Sequence, residues 1–408
     1  MTQECVVTGL GAVTPLGVGA DVLHERAVAG ESGVLDGIGY CDAFDAADAL
    51  PHRLVRRTDR AAQLAVAAAD EALARAGWAA GDLPYPADRV ACVIGCGLGG
   101  TASHAAELGV LEAKSADAVS PLLMPRMMAN AAAAQLAMRY GLTGESLCVT
   151  SACTSGAQAI GAALRLLASG AVDAVVTGGT EASTSPVVRA TFRNARALSE
   201  SGRSVPFDRD RDGFLLGEGA GVLVLERSDA ARRRGAPHYG SVLGYGASSD
   251  AHHVTAPDPE GTAAAQAVTR ALASAGIGAD ALAYINAHGT GTPLNDAAEA
   301  VALRRALGEP LAAVPLSSSK SALGHTLGAA GAVEAVVALQ ALRHGVAPPT
   351  RGLRTPDERL GPLDHIVEAR KLPGEGRRRV ALSTSFGFGG HNAALVLGAA
   401  PDDSRAAA

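Results

Sequence analysis

Cys153 lies where a short apolar strand is predicted to lead into a helix, in the segment Ser146-Leu-Cys-Val-Thr-Ser-Ala-Cys-Thr-Ser-Gly156. After it, apolar residues recur at positions 157, 160, 164 and 167, which is the spacing of one helical face. The pattern places the cysteine at or just before a helix N-terminus, where free backbone N–H groups and the positive dipole end favour thiolate over thiol. A thiolate in that position is a nucleophile.

Two histidines follow on Gly-rich segments. His288 lies in Ile285-Asn-Ala-His-Gly-Thr-Gly-Thr292, and His325 ends Ser317-Ser-Ser-Lys-Ser-Ala-Leu-Gly-His325. A single cysteine at a helix start is more often an inert buried thiol, and a single histidine is more often structural. One cysteine and two histidines on such turns together indicate acyl-thioester chemistry instead.

In order and spacing these segments resemble the β-ketoacyl-[acyl carrier protein] synthases of the Cys-His-His type, in the thiolase superfamily. The resemblance extends from Val6-Val-Thr-Gly-Leu-Gly-Ala-Val-Thr-Pro-Leu-Gly17 to Ser385-Phe-Gly-Phe-Gly-Gly-His-Asn392, nearly the whole chain. It implies an α/β fold, the five-layered αβαβα thiolase-like arrangement of two similar halves. The implied activity moves an acyl chain from a carrier protein to Cys153 and condenses it with malonyl carrier protein by decarboxylative Claisen condensation.

The resemblance also implies roles for individual residues. The backbone N–H groups of Cys153 and Phe388 would form an oxyanion hole, and Phe388 would gate the acyl tunnel. His288 and His325 would act as neutral Nε2–H donors to the developing enolate, while Lys320 would hold the second histidine through a buried polar network. The acidic positions of that network match Asp296, Glu299 and Glu334, and the pair that hydrogen-bonds the pantetheine amides matches Thr290 and Thr292.

Some of these assignments have a plain structural alternative. Asp296 and Glu299 could be solvated carboxylates on a helix face. Glu334 lies in an otherwise apolar helical stretch, where an unpaired charge would cost several kcal/mol, so a partner is expected for it. Lys320 is one of three lysines in a chain with 35 basic residues, which suggests a role that arginine does not fill.

Acyl carrier proteins are acidic, so the mouth of the site is expected to be basic. A basic cluster at Arg53, Arg56, Arg57 and Arg60, aided by Arg196, could provide this docking surface. An ordinary solvated helix face is the alternative for the same residues. The segments 101–104 and 124–130, the second a presumed dimer interface, are expected to set the acyl chain length.

The elements that must position these residues can be outlined from hydrophobic periodicity. Strand-like runs occur at 5–8, 90–94, 147–150, 174–177, 222–226, 282–286 and 380–384, and Ala-rich helical stretches at 60–76, 156–169, 262–275, 296–307 and 329–343. This alternation predicts an α/β fold with mostly parallel, buried strands. We expect one half at 1–245, carrying the nucleophile, and another at 246–408, carrying both histidines.

Composition limits the possible functions. With 48% hydrophobic and 19% charged residues the chain of 408 residues can bury a large core, and its net charge of −6 argues against a general nucleic-acid binder. The six cysteines form no Cys-x-x-Cys pair or Cys/His cluster, so neither disulfides nor a metal site are indicated. We find no signal-like start and no membrane-spanning apolar run, and we expect a cytoplasmic enzyme.

The alternatives that remain concern partners and pathway. No bound cofactor is expected, because the substrates arrive on the phosphopantetheine of acyl carrier protein. The chain could be a homodimeric fatty-acid elongating synthase, or the catalytic subunit of a type II polyketide system paired with a chain-length-factor homologue. The third possibility, a non-catalytic chain-length factor, is disfavoured because Cys153, His288 and His325 are all present.

Overall fold

The computed structural model describes residues 4–79, 81–374 and 377–401. Its strands are β1 Cys5–Thr14, β2 Gly17–Val18, β3 Ile38–Gly39, β4 Val90–Gly95, β5 Ser146–Val149, β6 Ala174–Glu181, β7 Leu216–Gly217, β8 Gly219–Arg227, β9 Gly240–Ser249, β10 Tyr284–Asn286, β11 Pro315–Ser317, β12 Val346–Ala347, β13 Asp364–His365, β14 Arg370–Lys371, β15 Val380–Gly387 and β16 His391–Gly398. Its α-helices are α1 Ala20–Val28, α2 Ala46–Ala49, α3 His52–Val55, α4 Arg60–Arg75, α5 Thr101–Ala113, α6 Leu123–Met127, α7 Ala131–Tyr140, α8 Ser155–Ala168, α9 Pro186–Asn194, α10 Ser228–Arg233, α11 Thr262–Ala275, α12 Pro293–Leu307, α13 Lys320–Leu323 and α14 Ala330–His344.

The main sheet repeats one strand order in two halves. Its order is β13-β11-β10-β15-β16-β9-β1-β8-β6-β4-β5. When the strands of each half are numbered in chain order and the two-residue edge strand β13 is left out, both halves run first, fifth, fourth, second, third, outward from the β1–β9 pair at the centre. The predicted division after residue 245 falls inside β9, and by strand order the second half begins at Gly240.

Helices cover both halves and separate them. α8 and α14 pack on each other and each contacts strands of both halves, so they form the middle layer. α4 and α7 cover the first half, and α11 with α12 covers the second. Together these are the five layers that the resemblance implies. The middle layer is the centre of the largest core cluster, in which Ala157, Ala163, Val333 and Ala338 are fully or almost fully buried.

The prediction of mostly parallel strands is wrong for the centre of the sheet. β4 pairs in parallel with β5 and β6, and β10 with β11 and β15, as expected. The four central strands instead pair antiparallel with their neighbours, and the chain returns from β15 to β16 through a three-residue turn. β9 and β16 were not predicted; in β9, three glycines and three serines weaken the apolar signal.

Parallel strands bring their carboxyl ends to the same edge of a sheet, and loops at that edge form the sites of α/β folds. Cys153 follows β5, His288 follows β10, His325 follows β11 and Phe388 follows β15. In the described part of the chain, no helix combines the length and apolar character needed to cross a bilayer.

Candidate active site

The turn that carries Cys153 is strained and braced. Ala152 has a φ of 51°, an uncommon conformation for a residue with a side chain, which costs roughly 1–3 kcal/mol. Ser155 Oγ accepts from Ser151 N–H at 2.9 Å and donates to the Ala152 carbonyl at 2.7 Å. α8 begins at Ser155, so Cys153 stands just before the helix N-terminus, as predicted.

The backbone of the β15–β16 turn lies directly against the nucleophile. The Phe388 N–H donates to the Cys153 sulfur. A Cβ on Gly387 would lie 3.1 Å from the Cys153 nitrogen, closer than nearly all real contacts. Glycine is therefore needed at position 387 so that the backbone N–H groups of Cys153 and Phe388 can lie close together, the arrangement expected of an oxyanion hole.

The prediction that Cys153 rests as a thiolate is wrong. Burial raises the pKa of the thiol to about 11, against the lowering influence of Lys320 and of the Phe388 N–H. The sulfur faces a cavity rather than bulk water. The nearby carboxylates of Glu181 and Glu334 also raise the pKa, because they repel the negative charge of a Cys153 thiolate. Near neutral pH the thiol is protonated, so its proton must leave as the sulfur attacks.

The two histidines face each other beside the cysteine. The His288 and His325 rings are 5.4 Å apart between centroids and nearly perpendicular, at 83°. Leu327 N–H donates to His325 Nδ1 at 3.2 Å, and the Lys320 ammonium lies 3.2 Å from His288 Nδ1. Both Nδ1 atoms are thus acceptors, which leaves the proton on each Nε2. Burial, followed by the charge of Lys320, lowers the pKa of both rings well below 6.5, so both are neutral at pH 7.

Lys320 is buried and serves the first histidine, not the second as predicted. Its Nζ donates to the His288 carbonyl at 2.6 Å and forms an ion pair with Glu334. Toward His325 it acts through its charge, which lowers the pKa of that ring. The expected partner of Glu334 is therefore Lys320, with both side chains only 2% exposed.

Glu299 is buried rather than solvated. Its carboxylate accepts from His288 N–H at 2.8 Å, Gly289 N–H at 2.7 Å and Thr384 Oγ at 2.7 Å, which fixes the first histidine turn. Burial raises the pKa of Glu299 to about 7, against these donors. Burial likewise raises the pKa of Glu334 to about 7, against Lys320.

Asp296 is also buried, but it supports a different loop. Its carboxylate accepts from Phe207 N–H at 2.8 Å and Gly291 N–H at 3.1 Å, and lies 3.5 Å from Arg211. It therefore joins the loop before β7 to the start of α12, away from the Lys320–Glu334 pair. Burial raises the pKa of Asp296, against the Phe207 N–H and Arg211.

The catalytic trio opens into a cavity of about 300 Å³. Thr290 and Thr292 line it, with their hydroxyl oxygens 3.0 Å apart. The apolar wall is formed by Phe192, Phe214, Phe386 and Phe388. Phe388 is partly exposed and its ring centroid lies 6.0 Å from that of Phe192, so the predicted gate packs on a helix that the prediction did not include, α9.

Arg60 is not available as a docking residue. It pairs with buried Glu218 at 2.9 Å, donates to the Cys41 and Phe44 carbonyls, and lies over the Phe44 ring. This contradicts its inclusion in the predicted cluster, because its charge and donors hold the 41–44 segment against β8.

The other predicted docking arginines divide into two groups. Arg53, Arg56 and Arg57 are exposed but do not line the cavity, whereas Arg196 is exposed and does. Two further arginines missed from sequence, Arg189 and Arg193, are exposed on α9 next to Arg196.

The segments expected to set chain length do not line the main cavity. Arg126, Met128 and Ala129, from the predicted 124–130 segment, line a second, much smaller cavity with Gly99 and Gly100. Ser103, from the predicted 101–104 segment, is hydrogen-bonded to Arg126 and Asp59 beside it. Their role in chain length stays a prediction.

One buried acid close to the nucleophile was missed. Glu181 ends β6 with no exposed surface and raises the pKa of Cys153 through its charge. The available signal was a carboxylate closing the apolar run 174–177 in the segment Gly178-Gly-Thr-Glu181.

Comparisons with known proteins identify the family of the chain. Residues 22–231 match the family described as Beta-ketoacyl synthase, N-terminal domain, and residues 239–354 match Beta-ketoacyl synthase, C-terminal domain. The chain is 39% identical to the 3-oxoacyl-[acyl-carrier-protein] synthase 2 of Synechocystis sp., over 97% of this chain and 98% of that protein.

Two solved structures share the fold closely. The ishigamide ketosynthase/chain length factor matches with a TM-score of 0.90 and 33% identity, covering 98% of this chain and all of that one. A ketosynthase bound to the hexaketide and in complex with its type II polyketide synthase acyl-carrier protein matches with a TM-score of 0.87 and 28% identity, over the same shares of the two chains.

Proposed function

The chain belongs to the β-ketoacyl synthase family and is a β-ketoacyl-[acyl carrier protein] synthase, an acyltransferase that catalyses decarboxylating condensation; on this premise we propose how its residues divide the reaction and which assembly it works in. The single observation that carries the assignment is the convergence of Cys153, His288 and His325 on one cavity. Each has a distinct hydrogen-bonding environment, and each environment suits one step.

Cys153 takes the acyl group. Its sulfur attacks the thioester of the acyl carrier protein, the carbon–sulfur bond to pantetheine breaks, and the thiol proton ends on the departing pantetheine sulfur. The negative oxygen of the tetrahedral intermediate lies between the N–H groups of Cys153 and Phe388. The close approach of Gly387 to Cys153 and the N-terminus of α8 support this role.

His288 and His325 stabilise the enolate. Malonyl carrier protein loses CO2, and the two Nε2–H groups donate to the thioester oxygen as negative charge develops there. The resulting carbanion forms a bond to the acyl carbon, and the Cys153 thiolate leaves and takes up a proton. Neutral rings with Nδ1 occupied, as the hydrogen bonds to Leu327 and Lys320 indicate, support the donor role.

The substrates arrive on phosphopantetheine, and the enzyme carries no resident cofactor of its own. Each step above uses only groups of this chain. Thr290 and Thr292 hydrogen-bond the pantetheine amides; their place on the cavity wall supports this, as does the 3.0 Å contact that orients one hydroxyl against the other.

The acidic carrier protein docks on α9 and Arg196. Arg189 and Arg193 are four residues apart on α9 and so share one of its faces, Arg196 lies just beyond the end of the helix, and all three are exposed. Phe192, on the inner side, packs against Phe388. Charge complementarity therefore brings the carrier protein to the cavity entrance.

A second ketosynthase-like chain covers the β5 side of the molecule. β5 ends the sheet order and has no further strand beside it among the described residues. Large apolar side chains are exposed on β5 at Leu147, on α7, which packs on β5, at Met138, and along the chain between β4 and α7 at Leu98, Leu108, Leu111, Leu122, Met124 and Met128. An open strand edge beside an apolar face is a protein interface. We call these eight side chains and β5 the β5 face.

We assign this partner to a chain-length-factor homologue and the enzyme to type II polyketide synthesis. The likeness to the ishigamide ketosynthase/chain length factor supports this choice. The competing assignment is a homodimeric fatty-acid elongating synthase acting alone in the cytoplasm. It is favoured by the 39% identity to a 3-oxoacyl-[acyl-carrier-protein] synthase 2.

The test uses the chain purified alone and co-expressed with candidate partners. Intact-protein mass spectrometry would follow acylation of Cys153 from a panel of acyl carrier proteins, then product after malonyl carrier protein is added. Acylation with product only in the presence of a chain-length-factor homologue supports the assignment. Product from the chain alone supports the homodimer, and the absence of acylation under every condition refutes the condensing mechanism.

Leu147→Asp on the β5 face tests the interface. We expect light scattering to show loss of the two-chain assembly, because a charge would replace an apolar contact beside the strand edge. Val367→Asp is the matched control, since Val367 is exposed outside this face. An unchanged mass for Leu147→Asp would refute the proposed interface.

A further inference from the structure

Glu181 has a role that the mechanism above does not use. Its side chain is completely buried at the end of β6, yet no arginine or lysine pairs with it among the described residues. Instead it accepts hydrogen bonds from Gly97 N–H at 2.8 Å, Leu98 N–H at 3.2 Å and Ser183 Oγ at 2.6 Å, and from Gly328 N–H. One carboxylate thus joins three separate segments of the chain.

Two backbone segments approach Glu181 closely because both carry glycine. A Cβ on Gly97 or on Gly328 would lie 2.7 Å from Glu181 Oε2, and a Cβ on Gly328 would lie 2.2 Å from the Gly97 nitrogen. The Gly97 loop and the Gly328 turn therefore meet at the carboxylate.

The Gly328 turn is the one that holds His325. Leu327, the residue before Gly328, gives its N–H to His325 Nδ1 at 3.2 Å. Leu327 has a φ of 46°, an unfavourable conformation for a leucine that persists only where its surroundings impose it. The hydrogen bond from Gly328 N–H to Glu181 fixes the peptide that directly follows Leu327.

From this geometry we infer that Glu181 is a positioning residue for His325. It holds the strained Leu327–Gly328 turn so that Leu327 N–H occupies Nδ1 and Nε2–H points into the cavity. This inference rests on the proposed donor role of His325. Glu181 touches neither substrate nor the reacting atoms, and its effect reaches the enolate only through the turn.

A carboxylate suits this position better than its neutral isostere. Three N–H groups converge on Glu181. Burial raises its pKa to about 7 against these donors and Ser183, and above that pH the ionised carboxylate offers acceptor sites on both oxygens. A glutamine amide could keep its oxygen toward these N–H groups and turn its NH2 group to the Ser183 hydroxyl, but the hydrogen bonds would lose the negative charge that makes them about twice as strong. The turn that holds His325 would then be the part of the site to loosen.

The experiment compares two half-reactions in Glu181→Gln. Acylation of Cys153 is followed by intact-protein mass spectrometry, and CO2 release from malonyl carrier protein is followed in a single turnover of acylated enzyme. We expect CO2 release to fall about 10- to 100-fold, part of the loss expected when such a donor is removed outright. Acylation should stay within about threefold, since the oxyanion hole does not depend on His325.

Glu226→Gln is the matched control. Glu226 is equally buried on the neighbouring strand β8, at the far end of β6 opposite Ala174, and is held by Arg234, Thr8 and Tyr85. We expect it to lower thermal stability while the ratio of the two half-reactions stays at the wild-type value. A parallel fall of both half-reactions in Glu181→Gln, tracking the folded fraction, would overturn the inference.

Ser183→Ala keeps the test decisive if Glu181→Gln does not fold. It removes one donor to Glu181 and leaves the backbone N–H contacts in place. We expect a smaller change in the same direction, with CO2 release lowered and acylation unchanged; an unchanged ratio overturns the inference. If the wild-type enzyme performs neither half-reaction, it is the proposed function that fails, not the role of Glu181.

Discussion

The two halves of the molecule share a strand order and differ in what their matching loops contain. The loop after the third strand carries Cys153 in the first half, after β5, and Lys320 with His325 in the second, after β11. In the first half that strand is an open edge beside exposed leucines and methionines. In the second half the strand is buried and flanked by β13.

This difference shows how one duplicated framework supports two kinds of chemistry. The first half supplies a nucleophile on a strained turn and, as proposed above, a surface for another chain. The second supplies donors set in a polar interior, where Lys320, Glu299 and Glu334 are each 1–2% exposed. Buried charges of this kind cost stability unless they are paired, so the second half carries most of the electrostatic cost of the site, with Glu181 as the buried acid of the first half.

The largest effect should come from removing the nucleophile. Cys153→Ala should abolish acylation and lower condensation by about 10⁴-fold or more, as for other enzymes that lose a covalent nucleophile. Decarboxylation of malonyl carrier protein should remain measurable, because the donors belong to the other half. Intact-protein mass spectrometry and CO2 release measure the two activities separately.

The matched control for that experiment is Cys148→Ala, a second partly exposed cysteine five residues away on β5. The Cys148→Ala variant should be acylated on Cys153 at the wild-type rate. Loss of decarboxylation together with acylation in Cys153→Ala would mean that the halves do not act separately.

Removing the cation of the second half should destabilise the fold. Lys320→Met leaves the Glu334 carboxylate buried without its partner, at a cost of about 3–5 kcal/mol in the free energy of unfolding. Denaturant unfolding at pH 8 would measure it, with the exposed Lys371→Met as control. The double variant with Glu334→Met should recover most of the loss, since no charge is then buried; no recovery would contradict the ion-pair account.

Removing one of the two enolate donors should slow decarboxylation much more than acylation of Cys153. His325→Ala should lower CO2 release by about 10²–10³-fold, the effect of removing one preorganised donor. Acylation of Cys153 should change by less than about tenfold, because the oxyanion hole remains. Exposed His52→Ala is the control, and equal losses in both half-reactions of His325→Ala would show that the histidine also serves the first half.

The polar interior also predicts a pH dependence. Burial raises the pKa of Glu299 from 4.5 to about 7, so the stability associated with its neutral form is complete below pH 4.5 and lost as the pH rises through 7. Glu299→Gln has no charge to bury. As the pH rises from 5 to 8, the free energy of unfolding of the variant should therefore increase relative to that of the wild type by up to about 3 kcal/mol.

Chemical denaturation of both proteins at several pH values measures this difference directly. Exposed Glu25→Gln serves as the control, with a difference from wild type that we expect to stay constant. A constant difference for Glu299→Gln as well would show that this carboxylate ionises as freely as one in water.

The smallest effect concerns the surface. Arg196→Ala should raise the KM for carrier-protein substrates only about two- to fivefold and weaken its salt dependence, because exposed charges act mainly on association. Arg53→Ala is the matched variant from the predicted cluster that does not line the cavity. A larger effect for Arg53→Ala than for Arg196→Ala would place the docking surface away from α9.

The sequence predicted those parts of this site that are local. Helix α11 has the predicted bounds of 262–275, and Cys153 stands before α8, because periodicity and turn residues are short-range signals. Contacts between distant segments could not be predicted. Arg60 is held by Glu218, 158 positions away, and no pattern near Arg60 reveals that partner.

The protonation state of a side chain is even harder to predict from sequence than its position, because it depends on groups that pack around it from distant parts of the chain. A helix N-terminus predicts a thiolate at Cys153, but burial of the sulfur and the nearby carboxylates of Glu181 and Glu334 raise the pKa of the thiol instead. Glu181 was missed for the same reason, since its importance lies in amide groups from residues 97 and 328 that the sequence keeps far apart.

The open edge of β5 has a consequence for how a cell must produce this protein. If a second chain covers β5 as proposed, a copy of this protein without that partner exposes unpaired strand N–H and C=O groups beside an apolar surface, to which another extended polypeptide can add. We therefore expect the soluble yield to follow the expression ratio of the two subunits, with the excess of this chain recovered as sediment. Balanced expression of the two subunits would then be required to obtain soluble enzyme.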